Sequence, residues 1–348
     1  MSILLAATEP VTTSNFASFE VPGWAWVALI AAITIMLVAD LLLVHRTPHE
    51  ISIKEAAIES AVWISIGLSF TLVMLFWQGP TASGEYLAGY LIEKSLSIDN
   101  VFVWAVIFSY FAVPRMYQFR VLFWGIFGAL VLRAVFIFAG VALIERFDWI
   151  LYVFGVFLLF TAWRIARHDE TEVHPENNPV LKLVQKVVPS TPELDGQKLF
   201  TRRYGRLLAT PLFAVLILVE TTDVVFAVDS IPAILAVSRE EFIVFSSNAF
   251  AILGLRALYF LLAGMSGRFR YLNTGLGVIL AFVGVKMLIA DFYHMPTWLS
   301  LLVIAVVLTV TIWASLRAER RDPGAEPTDP VPTDPAHVPP GDEGESDE

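Results

Sequence analysis

Apolar residues fill nine long stretches of the chain, and polar residues are concentrated between these stretches. Each stretch is close to or above the roughly 20 residues that a helix needs to cross a bilayer. Lipid offers no partners for open sheet edges, so stretches of this kind are predicted to be helices. The chain is therefore predicted to be an all-α, polytopic membrane protein with about nine transmembrane helices. We place the spans at 24–44, 58–77, 86–113, 116–144, 149–166, 207–237, 242–263, 271–291 and 297–316.

The spans and the polar stretches divide the chain into seven segments. The proline-rich linker separates two halves, and the tail has seven prolines and nine acids, which predicts disorder. The segments are an extracytoplasmic start (1–23), two leading helices (24–85), a first three-helix repeat (86–166), a cytoplasmic linker (167–206), a second three-helix repeat (207–291), a last helix (292–321) and the tail (322–348).

The two halves share polar landmarks in the same order. An acid, five residues and a second acid occur in an apolar stretch of each half, followed by an arginine and a further base. Because each unit has three spans, an odd number, the two units are predicted to be inverted relative to each other, with a binding site between them near the midplane. The matched pairs are Glu93 with Asp223, Asp99 with Asp229, Arg133 with Arg256, and Arg164 with Lys286.

The loop charges predict the orientation of the chain. Most of the basic loop residues lie on one set of alternate loops, whereas the opposite set has only Arg146 and Arg239. Cytoplasmic loops carry the excess of lysine and arginine. We therefore expect a multi-pass protein of the cell membrane with its N-terminus outside and its C-terminus in the cytoplasm.

Composition and charge narrow the function. Of the 348 residues, 57% are hydrophobic and 16% are charged, unlike a soluble domain. The net charge of −10 arises almost wholly from the tail, and the rest of the chain is close to neutral. Because no part of the chain has a large excess of basic residues, a basic nucleic-acid binder is excluded. The chain has no cysteine, which excludes disulfides, thiolate metal sites and cysteine nucleophiles. We expect a protein that is not an enzyme and has no organic cofactor.

Six acids lie at some depth within the predicted spans, away from their ends. A carboxylate at the centre of a transmembrane helix costs about 2.5–3.5 kcal/mol, so these acids must be paired, protonated or bound to a cation. Five bases lie at similar depth, and we expect two of them, Arg133 and Arg256, to form buried ion pairs. The acids are Asp40, Glu93, Asp99, Glu220, Asp223 and Asp229, and the other bases are Lys94, Arg164 and Lys286.

The spacing of the acids favours a cation site over ion pairs alone. Glu220 and Asp223 are three residues apart on one helix face, where like charges repel unless a cation or proton lies between them. Pro232 removes a backbone donor and strains the turn at Asp229, which frees carbonyl oxygens. Oxygen ligands without sulfur suit Mg²⁺, Ca²⁺ and Mn²⁺. The neutral oxygens nearby belong to Ser97, Asn100, Thr222 and Ser230.

Four segments resemble signature motifs of the TerC/Alx family of membrane proteins, and the resemblance covers about residues 24–316. It implies a relative of manganese exporters, linked to metal homeostasis, to the supply of Mn²⁺ to exported proteins and to tellurium resistance. The implied metal residues are Glu93, Asp99, Glu220, Asp223 and Asp229. From their positions in the spans, we expect supporting or charge-balancing groups at Asp40, Lys94, Arg164 and Lys286. The motifs span Asp40–Arg46, Glu93–Val103, Glu220–Ala233 and Ser247–Phe260.

Three functions are compatible with these features. The first is Mn²⁺ efflux from the cytoplasm, with protons as possible counter-ions. The second is a membrane scaffold in a stress or secretion complex, in which the acids are structural and the 167–206 linker docks other membrane or secretion proteins. The third is oxyanion transport, which suits Lys94, Arg164 and Lys286 but not the surrounding excess of acids. No nucleic-acid partner is expected, and the lipid bilayer is a partner in every case.

Overall fold

The computed structural model describes residues 16–41, 51–147, 149–167, 180–181, 183, 187–203, 205–263, 271–290, 292–293 and 295–321. A few residues inside these ranges are described by their backbone alone, and Asp99 is one of them. The tail at 322–348, most of the N-terminal segment and part of the linker lie outside the described residues.

The described chain is built almost entirely from α-helices. The helices are α1 (Gly23–Ala39), α2 (Ile53–Gln78), α3 (Pro80–Tyr110), α4 (Arg115–Arg146), α5 (Ile150–Arg167), α6 (Pro211–Leu235), α7 (Glu241–Leu253), α8 (Leu255–Ala263), α9 (Leu272–Leu288) and α10 (Thr297–Arg321). Two short strands, β1 (Phe200–Arg203) and β2 (Arg206–Ala209), lie in the linker.

The helix ends follow from local chemistry. The Ser52 hydroxyl caps α2 by accepting a hydrogen bond from the Glu55 N–H at 3.2 Å. The chain then turns into α3 at Gly79, whose φ of 90° lies in the left-handed region that glycine adopts readily. Pro80 and Pro211 occupy the first positions of α3 and α6, where the missing N–H would have no helical partner.

Each predicted span lies on a helix, so the predicted fold class, an all-α membrane protein, is confirmed. Five helical stretches of the described chain are long and apolar enough to cross a membrane, and three shorter helices are also apolar. The count of nine spans stays a prediction. The five are Ile53–Gln78, Arg115–Arg146, Pro211–Leu235, Glu241–Leu262 and Trp298–Ser315.

Three details differ from the prediction. The sixth helix begins at Pro211 rather than Leu207, because residues 206–209 pair with 200–203 in an antiparallel hairpin. The predicted seventh span is divided at Gly254 into α7 and α8. α1 ends at Ala39, and residues 42–44 of the first predicted span lie outside the described residues.

The linker hairpin has its own polar contacts. The exposed Asp195 carboxylate accepts hydrogen bonds from the Thr201 hydroxyl at 2.7 Å and from the Lys198 ammonium at 3.0 Å. Both bonds stabilise the charged form and lower the pKa of Asp195. The Phe200 ring packs on Phe213 of α6, with 4.6 Å between ring centroids, so the hairpin is anchored to the start of that helix.

Polar groups are buried and apolar groups are exposed in much of the molecule. Arg133 is 1% exposed and Glu93 is 0% exposed, whereas Phe76 is 86% exposed. Such a distribution is expected of a protein whose outer surface faces lipid, since hydrocarbon accepts apolar side chains and excludes charge.

The two predicted repeats pack reciprocally. α3 packs on α6, α5 packs on α9, and α3 packs on α7 as α6 packs on α4. In the predicted repeat, α3, α4 and α5 correspond to α6, α7–α8 and α9. Exchanging each helix for its counterpart leaves the α3–α6 and α5–α9 contacts unchanged and turns the α3–α7 contact into the α6–α4 contact. This arrangement supports an inverted repeat, which stays a prediction, as do the segment boundaries.

A glycine crossing between α5 and α9 shows the same reciprocity. The sequence match of Arg164 with Lys286 pairs Gly155 with Gly277 and Ala162 with Gly284. A Cβ placed on Gly155 would lie 3.1 Å from the Gly284 carbonyl oxygen, and one on Gly277 would lie 3.6 Å from the Ala162 carbonyl oxygen. The helices therefore approach each other backbone to backbone at two equivalent places.

Candidate functional site

A buried arginine brings together one acid from each half of the chain. Arg133 of α4 donates from Nε to Asp223 Oδ2 at 3.1 Å and from Nη2 to Asp223 Oδ1 at 2.9 Å. Its Nη1 donates to Glu93 Oε1 in a short ion pair. Asp223 lies on α6 and Glu93 on α3, and all three side chains are nearly inaccessible to solvent. The prediction that Arg133 forms a buried ion pair is confirmed.

Two amides and two hydroxyls complete this cluster. The Asn248 and Asn100 amide nitrogens donate to Glu93 Oε2 at 3.1 Å and to Asp223 Oδ1 at 3.3 Å. The Ser97 hydroxyl donates to Glu93 Oε1 at 2.8 Å, and the Ser230 hydroxyl accepts from Arg133 at 3.4 Å. We call the central cluster the set formed by Glu93, Ser97, Asn100, Arg133, Asp223, Ser230 and Asn248.

Glu220 lies beside the central cluster, one helical turn before Asp223. Its carboxylate faces Gly128 of α4, where a Cβ would clash with Glu220 Oε1. A side chain at position 128 would therefore force the end of the flexible Glu220 side chain to move. Glu220 and Asp223 repel each other electrostatically, as their spacing predicts.

Three buried oxygens in and beside the cluster have no hydrogen-bond partner among the described residues. They are Oδ1 of Asn100, Oδ1 of Asn248 and Oε2 of Glu220. Buried acceptors of this kind are normally satisfied, so each unpaired oxygen requires an explanation, such as an ion. Amide and carboxylate oxygens are ligands of hard divalent cations, and the donor set therefore fits such an ion.

The other predicted residues lie apart from these contacts. Asp229 Oδ1 accepts a hydrogen bond from Thr161 of α5 at 3.0 Å, and Arg164 attracts it electrostatically. The Thr222 hydroxyl bonds back to the carbonyls of its own helix. α6 continues through Pro232 to Leu235, although the proline leaves one carbonyl of the preceding turn without its helical donor.

The predicted bases reach different parts of the molecule. Lys94 donates to the Ala251 carbonyl at 3.2 Å, just before the helix break at Gly254. Lys286 lies 5.9 Å from the centroid of the Phe16 ring, and Arg164 is exposed. The Asp99 side chain lies outside the described residues.

A second ion cluster ties the leading helices to α8. Arg256 forms short ion pairs with Asp40 and Glu59, and its guanidinium lies 4.2 Å from the centroid of the Phe119 ring. The prediction of a buried ion pair at Arg256 is confirmed. Asp40 is part of this cluster in the described contacts.

The described residues contain no group of three acid or histidine side chains with the spacing of a metal site. The predicted set of five acidic metal ligands stays a prediction. Of these five, the structure joins Glu93 and Asp223 through Arg133 and places Glu220 next to them. Sequence reasoning missed Asn248, whose amide contacts Glu93. Its only signal was its position in the Ser247–Phe260 motif, because an asparagine in an apolar helix is conspicuous only when its partner is known.

Comparison with known proteins agrees with the geometry of a helical membrane protein. The family model described as integral membrane protein TerC family matches residues 78–323. No solved structure matches the chain.

Three similar proteins match this chain over almost the full length of each of them. A membrane protein of Myxococcus xanthus is 49% identical over 312 residues, which cover 90% of this chain and 98% of that protein. A protein of Escherichia coli strain K12, named as a candidate membrane-bound redox modulator Alx, is 47% identical over 313 residues, 86% of this chain and 97% of that protein. A membrane protein of Rickettsia bellii is 40% identical over 291 residues, 84% and 96% of the two chains. The chain belongs to the TerC family of integral membrane proteins.

Proposed function

We propose that the protein transports a divalent metal ion across the membrane, and that it moves Mn²⁺ out of the cytoplasm. The observation that carries this proposal is the set of three unpaired, buried oxygens of Asn100, Asn248 and Glu220 in and beside the central cluster. A divalent cation is a partner that buried amide and carboxylate oxygens of this kind accept. Mn²⁺ is the substrate in this proposal, and no organic cofactor or enzymatic step is part of it.

Charge supports a divalent ion over an oxyanion. The acids Glu93, Asp223 and Glu220 outnumber Arg133 in and beside the central cluster, so the formal charge of this part of the site is negative. A divalent cation neutralises that charge in a region of low dielectric, where an uncompensated charge is expensive. An anion would add to it.

The loop charges give the orientation that the proposal uses. With basic loops in the cytoplasm, the N-terminus is outside, and an ion leaving the cytoplasm would reach the site from the linker side of the bundle. Carboxylates that release a cation in low dielectric tend to take up protons, so we propose proton counter-transport in the cell membrane.

The name of the Escherichia coli relative gives it a redox role. Thiol–disulfide chemistry requires a cysteine, and this sequence has none. A redox effect of this protein would therefore act through the ion that it moves and not through a thiol.

The proposal predicts that Asp223→Asn reduces Mn²⁺ transport by about tenfold or more, because loss of one carboxylate weakens the site. The measurement is Mn²⁺ uptake into inside-out vesicles that contain a Mn²⁺-sensitive dye. Asp195→Asn, an exposed linker acid 38% accessible in its side chain, is the matched control and should transport at the parent rate.

Asn248 offers a second test of the same site. Asn248→Ala removes the free amide oxygen and should raise the Mn²⁺ concentration for half-maximal uptake, whereas Asn248→Asp retains an oxygen and should transport better than the alanine variant.

Equal uptake by the parent chain and Asp223→Asn would refute the site. Absence of uptake by the parent would refute Mn²⁺ transport itself.

A further inference from the structure

The segment that precedes α1 lies over one end of the helix bundle. The Ala17 N–H donates to Glu85 Oε1 on α3 at 2.6 Å. The Phe16 ring lies 5.2 Å from the Arg239 guanidinium and 5.9 Å from the Lys286 ammonium. The segment therefore touches α3, the α6–α7 connection and α9 at once.

Phe19 fixes the same segment at a second point. Its ring meets Trp77 edge-on with 6.0 Å between centroids. Cation–π and aromatic contacts of this kind are individually weak at partly exposed sites. The contacts hold the segment in place but are weak enough to be exchanged.

Beneath the segment lies a buried carboxylate that the central cluster does not use. Glu85 is 0% exposed, and its Oε2 has no hydrogen-bond partner among the described residues. The Ser238 hydroxyl and the Lys286 ammonium are close enough to act on this carboxylate. One carboxylate oxygen thus meets the segment, and the other lies near Ser238 and Lys286 without a hydrogen bond in the described contacts.

Glu85 lies on the helix face that leads to the central cluster. Positions 85, 89 and 93 of α3 are successive i, i+4 neighbours, so each lies next to the following one on the helix surface. Glu85 is two turns from Glu93, about 12 Å along the helix axis. Gly89 lies between them, opposite the Ser247 hydroxyl of α7. In the proposed orientation, the Glu85 end of this stripe is the extracytoplasmic end.

We propose that residues 16–20 form a plug over an exit-side cation subsite at Glu85, and that a divalent ion leaving the central cluster binds Glu85 by replacing the Ala17 N–H. This proposal rests on the proposed function for the identity of the ion. The plug closes the outer end of the polar stripe when no ion is bound at Glu85, and it is released when the ion takes the carboxylate.

The test uses a single cysteine in the full chain, which has none of its own. Ala236 is 4% exposed and lines a cavity together with Phe16, Arg239 and Lys286, so Ala236→Cys places a thiol beneath the plug. The rate of labelling by a membrane-impermeant methanethiosulfonate reagent is measured in vesicles with the extracytoplasmic face outwards. Arg146→Cys, at the exposed end of α4, controls for reagent access.

Three results are expected. Labelling of Ala236→Cys is slow, and adding Phe16→Ala makes it several-fold faster, whether Mn²⁺ is present or not. Mn²⁺ alone accelerates labelling when Phe16 and Glu85 are intact. Glu85→Gln abolishes the Mn²⁺ effect but keeps labelling slow, because the amide oxygen still accepts the Ala17 N–H but binds a cation poorly, whereas Glu85→Ala loses both and labels fast.

Equal labelling rates with Phe16 and with Ala at position 16 would overturn the plug. Persistence of the Mn²⁺ effect in Glu85→Gln would overturn the subsite, since screening by salt acts on both variants alike. These labelling results do not depend on whether the protein transports Mn²⁺. A chain that shows the labelling pattern but no Mn²⁺ uptake would retain the plug and refute the proposed function.

Discussion

Replacing Arg133 by alanine is expected to destabilise the folded protein by about 3–5 kcal/mol. The guanidinium is 1% exposed and bonds to both Glu93 and Asp223, so its loss leaves two buried acids without their counter-charge. The measurement is unfolding in mixed detergent micelles, followed by tryptophan fluorescence.

Neutralising the acids should restore part of this loss. The triple variant Arg133→Ala, Glu93→Gln, Asp223→Asn is expected to be more stable than Arg133→Ala alone, because its buried charges are removed together. Arg146→Ala is the matched control on the same helix, since Arg146 is exposed. If Arg133→Ala were no less stable than Arg146→Ala, the ion pairs would contribute nothing to folding.

A single methyl group at Gly284 is expected to destabilise the protein by about 1–3 kcal/mol. A Cβ there would lie 2.9 Å from the Gly155 carbonyl oxygen, which is backbone and can move only if α5 and α9 separate. Gly277→Ala is the matched control on α9, because its nearest neighbour, a methyl carbon of Ile165, would be 3.5 Å away, an ordinary van der Waals distance.

The comparison of the two alanine variants separates packing from helix propensity. Both replacements favour the helix by about 1 kcal/mol relative to glycine, so Gly277→Ala should unfold at the parent temperature or above it. Gly284→Ala should unfold below it despite the same gain. Equal midpoints for the two variants would show that the α5–α9 contact is looser than the structure has it.

The helices could be predicted from the sequence because lipid permits few alternatives. A long apolar run has no way to satisfy its backbone except as a helix, and this constraint holds regardless of the neighbours. The break at Gly254 and the linker hairpin were missed for the opposite reason. One glycine in an apolar run, or two four-residue strands in a polar loop, is a weak local signal that tertiary contacts decide.

The candidate site could be predicted only in part, and helix geometry explains which part. Ser97 and Asn100 follow Glu93 by four and seven residues, so they lie on its face of α3. Asp229 follows Asp223 by six residues. At about 100° per residue, it points roughly 120° away, and it contacts α5 instead. The repeated acid-x5-acid spacing identified both helices but could not place both acids of each in one site.

Glu85 was missed because it falls at the edge of a predicted span. An acid at a helix end usually meets water, and no sequence pattern indicates that a distant segment will cover it. The Ala17–Glu85 hydrogen bond joins residues 68 positions apart. Contacts of that separation become visible only once the fold is known.

The central cluster also limits how the two halves of the chain can move against each other. Arg133 of the first half bonds to Asp223 of the second, and the amides of Asn100 and Asn248 bond across the same boundary. These bonds are directional, so they hold only over a narrow range of relative positions of the two halves. A rocking motion of one half against the other has to break them together, and the cluster therefore contributes to the activation energy of that motion.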